Sequence, residues 1–366
     1  MVLPPPTPGH VRHGNAAEGE PGAYNGRIRR PANRYNPGQP GATPTLQRGA
    51  GKLVIARSLP FAILTISVCL LTAEAAWAWG PLTHVRLAEQ VLSQLWLLPA
   101  GVAALLARHA REYIFGNIAA DVVFAKKLSR IKQICHQWST GFSLLERAES
   151  DAGRVFAYGY LSHLAADTIA HNKFLPLQIL SSGTTVTFGH LYWELRADST
   201  LPSDYWFDLR RSLHQRHDEA HDLLADHLTR TLLPYGVNRR IFQRINLLAS
   251  ARQWHQTMRL WSRLSRWPLD TETLADFHAE SIERIVSVLE RGPSSAVLYD
   301  DPNGNSTLAH ARRQKRLLRQ LRRARLPLAG IVSETVRNHV PRPRGSLSLA
   351  VVPPARPEKF SGNIVS

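Results

Sequence analysis

Within GYLSHLAADTIAH, residues 159–171, the side chains of His163, Asp167 and His171 recur every four residues in a run that otherwise reads as buried helix. At about 100° per residue they drift only about 80° around a helix axis, so they share one face, spread over roughly 12 Å along it. Zinc–ligand bonds are only about 2.0–2.2 Å, so the two imidazoles are too far apart to clasp one ion; the spacing gives each its own metal and lets Asp167 bridge between neighbours. A hydrogen-bonded core histidine is the ordinary reading of any one such residue. Three in register among Leu161, Leu164, Ala165 and Ile169 are a different matter, because an unpaired buried carboxylate costs on the order of several kcal/mol and metal coordination removes that cost. The line therefore suggests a polynuclear metal site.

Such a site needs more ligands, and the chain offers them. FGHLYWEL sets His190 and Glu194 one helical turn apart, able to fan onto one ion. NIAADV places Asp121 where a charge interrupts apolar residues, and CHQWS supplies His136. In WGPLTH, a chain beginning at Trp79 would chelate through its free amine and first carbonyl, with His84 completing the grip; an α-amino group of pKa about 7.7–8.0 loses its proton to zinc readily.

Helices must carry these groups. THVRLAEQVLSQLW repeats Leu87, Val91 and Leu95 at helical spacing, with Thr83 as the expected N-cap. AGVAALLARHAREYI is a second helix and 151–171 a third, followed by 203–233, 238–265, 270–291 and 306–325. Strand-like alternation is confined to short pieces such as TTVTF, 184–188, so the expected fold is an all-α multi-helix bundle.

In order, Trp79, His84, Asp121, His136, His163-x-x-x-Asp167, His171 and His190-x-x-x-Glu194 resemble the zinc-dependent phospholipase C family of bacteria, related to the S1/P1 nucleases. The resemblance runs from Trp79 to about Asp198. It implies an all-α bundle of the phospholipase C/P1 nuclease type with three Zn2+ ions. Asp121, His136, His163 and Asp167 would hold one; His171, His190 and Glu194 a second; Trp79, His84 and the far side of Asp167 a third. Glu194 matches the phospholipase branch, where nucleases have Asp, while the short interval from Trp79 to His84 is more nuclease-like. The positions that would grip choline are Leu82, Val122 and Gln133, which supply neither aromatic face nor charge, so choline specificity is not implied. The implied activity is zinc-dependent phosphodiester hydrolysis of phospholipid headgroups, with Asp121 the candidate for orienting or deprotonating the attacking water. The alternatives are an S1/P1-like nuclease and a non-catalytic, zinc-stabilised, membrane-associated binding protein.

Composition frames these readings. Lys and Arg exceed Asp and Glu by 45 to 28, a formal charge of +17, which favours anionic partners such as phospholipid, nucleic acid or a cell surface without choosing among them. The basic run 310–326, with Leu317, Leu318 and Leu321, is a candidate contact for an anionic membrane surface, or simply a charged exterior helix. His214, His217 and His221 sit among Arg216, Asp218, Glu219 and Asp222 and read as solvated surface.

The N-terminal region reads as a leader. Leu59–Thr72 is an uncharged run of 14 residues behind Lys52 and Arg57, the form of a secretory h-region, and Ala76-Trp77-Ala78 is a cleavage signal placing the cut before Trp79. Export to the periplasm or medium is thus expected. Removal of Cys69 leaves only Cys135, so no internal disulfide forms and any metal site rests on His and carboxylates. The expected organisation is a disordered or misannotated extension over 1–52, a signal peptide over 53–78, a catalytic core over 79–200, a helical extension packed on it over 201–330, and a disordered tail over 331–366.

Overall fold

A computed structural model describes residues 79–122, 134–182, 186–227, 234–249, 256, 260, 262–265 and 267–324, all within one compact unit, Ala50–Ser366. The extension, leader and tail expected at 1–52, 53–78 and 331–366, and Gln133, lie outside the described residues. Those residues form twelve α-helices and no strand. In order they are α1 (Pro81–Leu92), α2 (Ala100–Arg108), α3 (Ala110–Ala119), α4 (Trp138–Arg147), α5 (Asp151–Ile169), α6 (Leu175–Ser181), α7 (Val186–Asp198), α8 (Asp204–His214), α9 (Asp218–His227), α10 (Tyr235–Ala249), α11 (Thr271–Arg291) and α12 (Asn305–Arg323). Short 3₁₀ turns at Ala120–Val122, Ile134–His136 and Ala296–Tyr299 join some of them. The all-α expectation agrees with the structure.

Helix α5 is the axis of the bundle, with α3, α4 and α11 packed around it. Its apolar residues are therefore not confined to one stripe. Leu161, Ala165 and Ile169 enter a core with Trp79, Phe174, Trp193, Phe277 and Ile285. Phe156, Tyr160 and Leu164 enter another with Val85, Phe115, Ile118 and Phe242. Each such fully buried side chain contributes about 1.5–3 kcal/mol. His163 and Asp167 form a third stripe on the same helix and are equally buried.

Helices α3 and α5 cross at two glycines. A Cβ on Gly116 would lie 2.2 Å from the Phe156 carbonyl oxygen, and one on Gly159 2.2 Å from that of Tyr113. Only residues without a side chain let the two backbones touch there.

Several boundaries differ from the sequence expectations. Thr83 does not cap α1: the helix starts at Pro81, and Asp198 of α7 accepts from the Leu82 and Thr83 amides, at 3.2 and 3.0 Å, and from the Thr83 hydroxyl. AGVAALLARHAREYI is broken at His109, whose φ of −120° and ψ of 39° leave the helical region. The segment 203–233 divides into α8 and α9, with His217 between them donating to the Ser212 carbonyl at the end of α8. Val186–Phe188, read as strand, begin α7.

The continuous helix expected over 151–171 ends at Ile169, and a π-turn spans Ala170–Phe174. Pro176 follows at the start of α6; its ring has no N–H and would crowd the carbonyl four residues back, which a wider turn relieves. Histidines 217 and 221 are not solvated surface. His217 is buried and stacks on Phe115 at 4.2 Å, and His221 Nδ1 meets the Tyr235 hydroxyl at 2.7 Å.

After residue 234 the chain returns to the centre. Buried Leu274, Phe277, Ile282 and Ile285 lay α11 along α5, and α12 lies on α6 through Leu308, Ala311 and Leu318. Lys315 is turned inward and donates to the Ile179 carbonyl, while Arg312, Arg313, Arg316 and Arg319 are exposed. Among the described residues no helix is long and apolar enough to cross a membrane.

Candidate metal centre

Four of the expected ligands converge. His163 and Asp167 stand one turn apart on α5, Asp121 lies on the 3₁₀ turn that ends α3, and His136 ends the turn before α4. His136 Nε2 is 3.1 Å from His163 Nε2, 3.3 Å from Asp167 Oδ2 and 3.4 Å from Asp121 Oδ1, and His163 Nε2 is 3.2 Å from Asp167 Oδ2. Ligands bonded tetrahedrally to zinc at about 2.0–2.2 Å are roughly 3.3–3.6 Å from one another. The observed separations are close to the edges of such a tetrahedron.

The other oxygen of Asp167 faces elsewhere. Oδ1 lies 3.3 Å from Nε2 of His84 on α1, whose ring stacks on that of His163 at 3.9 Å. Trp79 is close by: its indole Nε1 donates to the carbonyl of Ala166, the residue before Asp167, and its ring packs on Phe174 at 4.7 Å. The Asp198 cap on α1 holds this end of the chain, and it requires Gly80, because a Cβ there would lie 2.2 Å from the Asp198 carboxylate.

The second group joins the π-turn to α7. His190 Nε2 and Glu194 Oε1, one turn apart on α7, are 3.0 Å apart, and the His171 ring meets the His190 ring edge-on at 5.1 Å. His171 reaches them from the π-turn rather than from regular helix. The structure thus gathers His84, Asp121, His136, His163 and Asp167 in one neighbourhood, with Trp79 beside it, and His171, His190 and Glu194 in a second.

The environment suits cations. His84, Asp121, His136, His163, Asp167, His171 and Glu194 are buried. Among the described residues, neither ring nitrogen of His84 and neither oxygen of Asp167 has a hydrogen-bond partner. A buried carboxylate whose only polar neighbours are imidazole nitrogens at 3.2–3.3 Å, none well aligned as a hydrogen bond, is a fitting arrangement for a bound divalent ion.

The charges support the same reading. Burial alone would raise the Asp167 pKa, but His163, His136 and His84 hold it well below the carboxylate range. Burial alone would lower His163, yet Asp167 and Asp121 hold it above the ordinary imidazole value. Burial, aided by His163, lowers His84. The His163 tautomer is set by the Asn117 carbonyl, 2.8 Å from Nδ1: that nitrogen carries the proton, and the Nε2 lone pair faces the cluster.

Some of the surroundings could not be inferred from spacing. Asn303 donates to the backbone carbonyl of His136 at 2.7 Å, and Gly304 lies against the backbone of His171. A cleft of about 400 Å³ opens beside His136, walled by Trp138, Tyr299 and Asp300–Asn303. The only advance signal was the run Asp-Asp-Pro-Asn-Gly-Asn at 300–305, whose residue types mark a tight turn. Leu82 and Val122, the positions matched to a choline grip, are buried in the core with Phe115 and Ile118.

Residues 83–234 match the family model described as zinc dependent phospholipase C. Compared with curated proteins and with solved structures, the chain matches none. The matched segment includes His84 through Glu194 and ends before α10. The likeness to the zinc-dependent phospholipase C family, a family of hydrolases, thus covers residues 83–234, a little under half of the chain.

Proposed function

We propose that this protein is a zinc-dependent phospholipase C that cleaves the glycerol side of the phosphodiester in a phospholipid, releasing diacylglycerol and a phosphorylated headgroup. The observation carrying this reading is the two-sided environment of Asp167, with His84 at one oxygen and His136 and His163 at the other. Asp121, His136, His163 and Asp167 would hold one zinc; His171, His190 and Glu194 a second; His84, Asp167 and the amine and carbonyl of Trp79 a third. Bound zinc supplies Lewis-acid stabilisation of the charge on the phosphate oxygens and acidifies water near them.

The chain's own groups do the rest. The His163–Asn117 hydrogen bond fixes one imidazole tautomer, so no reorganisation is needed when substrate arrives. Asp121, beside His136, accepts the proton of the attacking water or orients it. The cleft walled by Trp138, Tyr299 and Asp300 admits the substrate beside His136. Cleavage of the leader after Ala78 during export exposes the Trp79 amine, placing the enzyme in the periplasm or outside the cell. N-terminal sequencing of the mature protein tests that step.

The activity is tested by incubating the mature protein with mixed phospholipid vesicles and with single-stranded DNA, with and without chelator. Zinc-dependent release of diacylglycerol is the expected result. Nucleotide release alone would reassign the chain to the nuclease branch. Chelator-sensitive stability with no product from either substrate would leave a non-catalytic zinc protein.

A further inference from the structure

The family match ends at residue 234, yet the turn between α11 and α12 reaches back to both ligand neighbourhoods. Asn303 is buried, 5% exposed, and its Nδ2 donates to the His136 carbonyl across 167 residues of sequence. Gly304 packs so closely on His171 that a Cβ would lie 2.6 Å from both the Cβ and the carbonyl oxygen of that residue. Its φ of 56° is in the left-handed region, so glycine is required there twice over. Asn172, next to His171, donates to the Asp301 carbonyl and accepts from Thr307 of α12. Arg284 of α11 bonds both Thr168, next to Asp167, and Asp300.

We infer that Asn303 is a positioning residue of the metal centre, and that the turn Asp300–Asn305 clamps His136 and His171 in the places where they serve as ligands. His136 needs such a clamp. It ends a three-residue 3₁₀ turn, and a lone ligand on a short turn would otherwise spend ordering entropy each time it bound. The bond from Asn303 settles that cost on folding. Metal binding at the first neighbourhood and docking of the α11–α12 turn are therefore coupled, and each strengthens the other by the same factor. This inference rests on the ligand assignment made above.

Three proteins decide it: the parent, Asn303→Asp, which keeps the shape but has no amide N–H to donate, and Ser306→Ala at the start of α12, an exposed position beside the turn. Zinc affinity is measured by competition with a chelator, and thermal stability is measured separately in excess chelator. Asn303→Asp should weaken the tightest class of zinc sites by roughly tenfold or more, the scale for partners that hold a ligand in place, while Ser306→Ala keeps the parent affinity. A purely structural Asn303 would lower stability in chelator and leave zinc affinity within about twofold of the parent, and that result overturns the proposal. A parent that holds no zinc overturns the ligand assignment itself.

Discussion

His163 donates its Nδ1 proton to the carbonyl of Asn117 at 2.8 Å, tying the central helix α5 to α3 at the point where both supply groups to the cluster. Asn117 is one residue past Gly116, and Gly116 meets Gly159 where the two backbones touch. The imidazole is thus aimed by a helix crossing that only glycines permit. Replacing Gly159 with Ala puts a methyl 2.2 Å from the Tyr113 carbonyl and forces α3 away. We expect a loss of about 2–3 kcal/mol of stability, read from denaturant melts, together with weaker zinc binding as Asn117 moves off His163. Unchanged zinc affinity in a clearly destabilised variant would separate the crossing from the site.

Asp167 faces His84 through one oxygen and His136 and His163 through the other, so under the proposed assignment its loss should be felt twice. Elemental analysis of Asp167→Asn is expected to show a deficit of more than one zinc per chain, against about one for His84→Ala, whose ring meets Asp167 at Oδ1 alone. Equal deficits would mean that Asp167 serves a single ion.

Local spacing carried the reading of the site a long way, for a physical reason. His163 and Asp167, like His190 and Glu194, are pairs on one helix, and a period of four residues determines that such pairs meet. The order of His84, Asp121 and His136 along the chain supplied the remainder through family resemblance. What spacing could not convey was any bond made across the fold. Thr83 has the residue type of a cap, yet a carboxylate 115 residues away takes its amide. His171 meets His190 out of a π-turn that a strict helical count from His163 does not contain. Asn303 is an ordinary turn residue until the fold sets it against His136.

Glu89 gives the stability an acid-side bias. Burial raises its pKa from 4.5 to about 7, with a further push from Asp208 of α8; Tyr205 of α8 also faces it, with Arg86 of α1 beside that tyrosine. Its folded-state value is above its unfolded one, so the folded chain binds the proton more tightly. The associated stability is fully present below about pH 4.5 and is lost as pH rises through about 7. Glu89→Gln keeps the neutral shape at every pH. Its melting temperature should equal the parent's near pH 4.5 and exceed it at pH 8 by about 2–6 °C, corresponding to about 1–2 kcal/mol once partial exposure is discounted. A constant difference across that range would mean that Glu89 is not the group responsible.

Removal of the metal tests the whole arrangement, because the buried cluster is poorly matched to protein atoms alone. Asp167 retains its charge only through the imidazoles around it, and these cannot all be protonated without repelling one another. A ligand that binds only the folded state stabilises it by about 4 kcal/mol at a free concentration 1,000 times its Kd. For a chain of this size that is a fall in melting temperature of roughly 5–10 °C when chelator strips a single tight site. Zinc should restore the parent value, whereas magnesium, which prefers an all-oxygen shell, should not replace it at sites built largely from imidazole. If calorimetry finds the same melting temperature with chelator as with zinc, the buried cluster is stable on its own terms, and the ligand assignment for Asp167 fails with it.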